Sequence, residues 1–300
     1  MGARLALGFL VLCSCVSGDG ARPASTGEPR GTVAFAADLD GQWDFDDGNA
    51  DIFVMELPAG EPVNLTRNPA NDYSPEWSPD GSRIAFRTDR DGNHEIYVMD
   101  ADGSHPVNLT RSASEDRSPA WSPDGSRIAF SSQRGEERDL FIMEADGSNV
   151  VRLHHPGLDE YPTWSPDGSR LAYTSYCPDC SGAALWITNA DGTGQQAMGH
   201  GAGWPDWSPD GRLIAFDKVA PDGEVAVHAV PPRVGVPARV ISPGFQGDWS
   251  PDGRYVVLTR DDDTGQLLAD LWVVRADGTR ARALTRTEGA LEFEPTWRPR

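Results

Sequence analysis

Lysine is nearly absent from this chain: Lys218 is the only one among 26 basic residues, while aspartate and glutamate together number 46. The formal charge of −20 repels nucleic acid and anionic membrane surfaces, which excludes both as partners held by charge. A basic peptide, a cation or a neutral glycan suits that field. Cysteine is equally sparse, with Cys13, Cys15, Cys177 and Cys180, too few to staple a fold of this length. Long apolar runs are missing as well, since residues 5–12 form a stretch too short to span a bilayer.

That short stretch follows Arg4 and precedes small residues, the order of an export signal. Leu12-Cys13-Ser14-Cys15 resembles a bacterial lipobox. Residues 1–14 are therefore expected to be a lipoprotein signal peptide, with Cys15 lipidated and the membrane reached only through that anchor. Residues 15–31 hold almost no large apolar side chain and read as a flexible tether.

Beyond the tether one pattern recurs. WSPDG begins at Trp77, Trp121, Trp164, Trp207 and Trp249, and a shortened copy, WRP, begins at Trp297. The spacings of 44, 43, 43, 42 and 48 residues match one four-stranded propeller blade per repeat. Within a repeat, Ser-Pro-Asp-Gly supplies a tight turn, with proline presetting φ and glycine accepting the left-handed region. A strand such as residues 127–132 follows, and an apolar run such as residues 140–143 gives a third strand covered on both faces. Glycine and proline punctuate the chain too often for helices. Residues 32–66 match the later strands of a repeat but lack the tryptophan strand, which residues 294–297 can supply. The expected fold is all-β, a six-bladed β-propeller over residues 32–300, with N- and C-terminal strands sharing one blade and closing the ring.

The residues quoted, PxWSPDGxxIAF followed by IYVMDADG and LT, resemble the propeller repeat of the TolB family, and the likeness covers nearly all of residues 32–300. The resemblance implies a propeller that binds other proteins of the cell envelope, placed in the periplasm or at the cell surface. A counterpart of TolB's N-terminal α/β domain is not expected.

The tryptophans and turns read as scaffold. Function is expected on the variable loops and at the channel. An acidic residue stands five before the tryptophan in four of the six copies, Asp72, Asp116, Asp159 and Glu292, and these are expected to rim the channel mouth and attract a basic partner segment. Residues 38–51 are rich in aspartate; Asp44, Asp46, Asn49 and Asp51 suggest a calcium site, and Trp43 and Phe45 suggest partner contacts. Cys177 and Cys180 outside the cytoplasm suggest a local disulfide, or, with His154 and His200, a zinc site. The asparagines of Asn64-Leu65-Thr66 and Asn108-Leu109-Thr110 read as strand ends.

A peptidase of the kind that uses a propeller as a gate needs a GxSxG elbow, and the sequence has none. The sequence therefore points to a monomeric binding module for a protein or carbohydrate, with a channel-based metal-dependent lyase or lactonase as the alternative.

Overall fold

The WSPDG segments fold as their side chains dictate. Ser78 Oγ donates to Asp80 Oδ1 at 2.7 Å and accepts the Arg83 N–H at 3.0 Å, while Asp80 also accepts the Ser82 N–H at 2.9 Å. Gly81 sits at φ +65°, a conformation only glycine adopts without strain. The same serine–aspartate bond recurs at Ser122–Asp124, Ser165–Asp167, Ser208–Asp210 and Ser250–Asp252. Each closes the hairpin that joins the tryptophan strand to the next.

The computed structural model describes residues 28–38, 49–155, 157–176, 182–199, 201, 203–220, 222–261, 269–287 and 289–300. All regular elements among these are β-strands. The chain opens with β1 (Gly31–Asp38), β2 (Asp51–Leu57) and β3 (Val63–Asn64). Then come β4 (Asp72–Trp77), β5 (Arg83–Thr88), β6 (Glu95–Asp100), β7 (Val107–Asn108), β8 (Asp116–Trp121), β9 (Arg127–Ser132), β10 (Asp139–Glu144) and β11 (Val151–Leu153). They are followed by β12 (Leu158–Trp164), β13 (Arg170–Tyr176), β14 (Ala184–Asn189), β15 (Gln196–Ala197), β16 (Gly203–Trp207), β17 (Ile214–Val219), β18 (Val225–Val230) and β19 (Arg239–Pro243). The last are β20 (Phe245–Trp249), β21 (Tyr255–Asp261), β22 (Ala269–Arg275), β23 (Arg282–Ala283) and β24 (Leu291–Trp297).

Strands β4–β7, β8–β11, β12–β15 and β16–β19 form four antiparallel sheets of four strands. The remaining eight make one sheet, in which β24 pairs antiparallel with β1, Val33 lying opposite Trp297. One parallel pair, Ala269 with Leu291, joins that group to β20–β23. Four separate sheets and one of eight thus stand where six equal ones were expected, because β22 and β24 come within pairing distance at a single residue. The arrangement is a β-propeller.

Neighbouring sheets are wedged by the tryptophans. Trp121 of β8 packs with Ile96 and Val98 of the preceding sheet and with Ile128 and Phe130 of its own. An arginine from the preceding unit lies over four of the six rings: Arg298 over Trp77, Arg83 over Trp121, Arg127 over Trp164 and Arg170 over Trp207, at 4.7–5.0 Å from the centroids. Burying an indole in this way carries stability of about 3–5 kcal/mol against alanine.

Candidate functional site

Each innermost strand carries a break in register. The shifts fall between Tyr73 and Glu76, Arg117 and Ala120, Glu160 and Thr163, Gly203 and Asp206, and Phe245 and Asp248, with a sixth where β24 meets β1. At each bulge a non-glycine residue takes φ between 43° and 55°: Ser74, Ser118, Tyr161, Trp204, Gln246 and Glu294. Proline or glycine follows every one of them. Such bulges re-aim side chains, and here they turn two layers toward a shared axis. The first layer is the six residues just named. The second is Glu76, Ala120, Thr163, Asp206, Asp248 and Thr296. Together they line a channel cavity of about 130 Å³.

The two layers differ in chemistry. In the first, Tyr161 and Trp204 stack with ring centroids 4.3 Å apart, and Glu294 accepts the Ser74 N–H at 2.6 Å and the Ser74 hydroxyl at 3.1 Å. In the second, three carboxyls face a narrow space. Burial pushes Glu76 up to about 8, helped by the nearby Asp206, and burial raises Asp206 to about 7. Asp248 is held well above its ordinary value by burial, with Asp206 and Glu76 adding to it. Interstrand bonds offset part of this, since Asp206 accepts the Trp249 N–H at 2.9 Å and Thr296 Oγ1 donates to Glu76 at 3.3 Å. Above the first layer, Arg87 lies over the Tyr73 ring at 4.4 Å. His94 is pushed down to about 4 by burial and by Arg87 and Arg117, which leaves it neutral.

The four acids expected at the channel mouth are elsewhere. Asp72, Asp116 and Asp159 are 0% exposed and Glu292 is 1% exposed, so none offers charge to solvent. Asp72 binds Arg90 at 3.0 Å and Asn68 at 2.6 Å; Asp116 binds Arg134 at 3.1 Å. Asp159 meets His155 Nδ1 at 3.2 Å, and Glu292 accepts from Thr285 and Thr287. Each is an anchor within its own sheet. Arg90 lies over Phe86 and Tyr97, and Arg134 over Phe130 and Phe141. His155 fills the corresponding place against Tyr173 and Trp186. The sequence signal for this anchor was present but unread: an arginine stands 13 residues after both Trp77 and Trp121.

Asp51 is likewise engaged inside the fold, accepting from Asn64 Nδ2 at 2.7 Å and Thr66 Oγ1 at 2.8 Å, so the Asn64-Leu65-Thr66 segment is a strand-end clasp. Asn49 is exposed, while Asp44, Asp46, Trp43 and Phe45 lie outside the described residues. His154 is exposed and 3.9 Å from Asp139 Oδ1. Cys15, Cys177, Cys180 and His200 lie outside the described residues. Among the described residues no group of three or more histidine, cysteine, aspartate or glutamate side chains is arranged to hold a metal ion.

A second cavity, of about 530 Å³, opens beside the channel and was not anticipated. Tyr176, Trp204, Val219, Val225 and Phe245 form its walls together with Asp217. Asp217 is 5% exposed and its carboxyl is held well above the ordinary range by burial, against the backbone N–H groups of Gln246 and Gly247.

Residues 108–300 match a family model described as the TolB beta propeller domain, and residues 47–134 match one described as the Tricorn protease N-terminal beta propeller domain. No curated protein matches the sequence. Among solved structures, TolB from Acinetobacter baumannii is 18% identical with a TM-score of 0.78, over 92% of this chain and 69% of that one. A TolB described as putative in Agrobacterium tumefaciens is 17% identical with a TM-score of 0.67, over 91% and 100%. A chain of a nidogen/laminin complex is 11% identical with a TM-score of 0.70, over 89% and 98%. At these identities the likeness is one of fold.

Proposed function

The chain belongs to the TolB β-propeller family, and from that premise we propose that it is an exported binding module whose six-bladed ring presents its central channel to a protein partner. The eight-stranded sheet reads as two blades, since β20–β23 and β24 with β1–β3 each repeat the four-strand order of the other sheets. Export and a lipid anchor at Cys15 are supported by the lipobox-like residues 12–15, with residues 15–31 as tether.

One contrast carries the reading. The positions that build the ring are uniform: tryptophan at all six strand ends and Ser-Pro-Asp-Gly at five. The positions that line the channel are individual, running serine, serine, tyrosine, tryptophan, glutamine and glutamate in the first layer. Scaffold chemistry explains the first set and leaves the second free for recognition, where aromatic anchors beside polar groups are the usual hot spots. That one similar fold comes from a complex of two proteins, nidogen and laminin, agrees with a binding role.

The test is partner capture from envelope extract by the full chain and by Tyr161→Ala with Glu294→Gln. The captured proteins are expected to be lost from the variant at an unchanged thermal midpoint. Equal capture by a folded variant would remove the channel from the account.

A further inference from the structure

The cavity beside the channel owes its volume to one residue. Four residues before the tryptophan of the innermost strands stand Tyr73, Arg117, Glu160, Phe245 and Phe293, but in β16 it is Gly203. Among the described residues beyond its chain neighbours, no heavy atom lies within 4 Å of where a Gly203 Cβ would stand. Directly across the strand pair from Gly203 is Asp217, so the missing side chain leaves space over a buried carboxyl. Asp217 Oδ2 accepts the Gln246 N–H at 2.7 Å. Its Oδ1 has no hydrogen-bond partner among the described residues, although an orphaned buried acceptor costs about 1–3 kcal/mol.

The same register position elsewhere shows what is missing. In β4–β5 the equivalent pair is Tyr73 with Arg87, a cation held 4.4 Å over an aromatic ring. Around Asp217 the rings are present, Trp204, Phe245 and Tyr176, and among the described residues no charged partner contributes to the state of its carboxyl. Lys218, the next residue, belongs to the opposite face of the strand.

We propose that this cavity receives the basic side chain of a partner protein, an arginine or lysine whose charged head meets Asp217 and whose aliphatic stem lies along Val219 and Val225. This deepens the binding-module reading and rests on it. The lining decides between ligand classes. A pyranose ring carries several hydroxyls that need partners, and the walls hold one carboxyl among mostly apolar groups. A single cation on an apolar stem matches that distribution, with ring faces adding cation–π attraction. The chain's formal charge of −20 favours the approach of such a group. Val219 at 63% exposure and Tyr176 at 42% mark an open mouth.

The experiment is calorimetric titration of the purified full chain with n-butylguanidinium and n-butylammonium, with n-butanol and butyrate as uncharged and anionic controls. Two variants accompany the wild type. Asp217→Asn keeps the shape and an acceptor while removing the charge, and Gly203→Tyr fills the cavity at a position with room for it. The wild type is expected to bind at least one of the two cations and neither control. Affinity for that cation should fall about tenfold or more in both variants. Butanol binding as well as the cations, no cation binding, or undiminished binding by folded Asp217→Asn would overturn the proposal. A wild type that binds neither cation yet still captures its partner through Tyr161 and Glu294 would leave the channel reading standing and this one fallen.

Discussion

The Trp297 N–H donates to Asp248 Oδ1 at 3.1 Å, so a carboxyl lining the channel also fixes β24 to the neighbouring innermost strand. The Trp249 N–H makes the same bond to Asp206. Channel lining and sheet-to-sheet contact therefore share residues at these two places. Alanine at 248 leaves a buried N–H without an acceptor and is expected to destabilise the fold by about 1–3 kcal/mol. Asparagine keeps the carbonyl acceptor and should come close to wild type, because burial and the neighbouring carboxyls already favour the neutral form of the acid it replaces. Urea unfolding of the two variants checks this.

The raised carboxyls set a pH trend. Glu76 at about 8 and Asp206 at about 7 bind protons in the folded state at pH values where the unfolded chain has released them. Their opposition to folding grows as pH rises past the ordinary carboxylate range and is complete above the folded values, so stability should decrease from about pH 5 to about pH 8 and level off beyond. Glu76→Gln removes one titrating group and should flatten that slope while raising the thermal midpoint at pH 9. A midpoint that climbs with pH over this range would contradict the channel electrostatics.

The buried acids make a different prediction. In Asp72→Ala the Arg90 guanidinium, 21% exposed, loses its partner beneath two rings. Partial access to water softens the loss below that of a fully enclosed pair, to about 2–3 kcal/mol. Asp116→Ala should behave alike through Arg134. Neither change should alter the salt dependence of partner binding in protein that remains folded, which distinguishes an anchor from a charged rim.

These acids also show where sequence reading succeeded and stopped. Strand order, turn chemistry and the pairing of β24 with β1 were legible, because the tryptophan spacing and the Ser-Pro-Asp-Gly turns are local and repeated. The recurrence of Asp72, Asp116 and Asp159 was legible too, but their burial was not. It depends on Arg90, Arg134 and His155 folding back over aromatic rings, a contact between segments with no pattern of adjacent residues to announce it. The channel layers were hidden for a related reason. A bulge at Ser74 or Trp204 changes which way the next side chains point, and alternation along a strand does not reveal where the bulge falls. The cavity at Asp217 follows from Gly203, which reads as an ordinary glycine until its five counterparts are superposed.

The central claim, that the channel recognises a partner, is tested most directly by blocking it. Ser118 has φ +52° and Trp204 holds the equivalent position at φ +43°, so the backbone accepts tryptophan there, and Ser118→Trp fills much of a cavity of about 130 Å³. The measurement is the affinity of the captured partner for Ser118→Trp and wild type, at matched thermal midpoints. Loss of binding by about tenfold or more is the result the account predicts; unchanged affinity in the plugged, folded protein would contradict it.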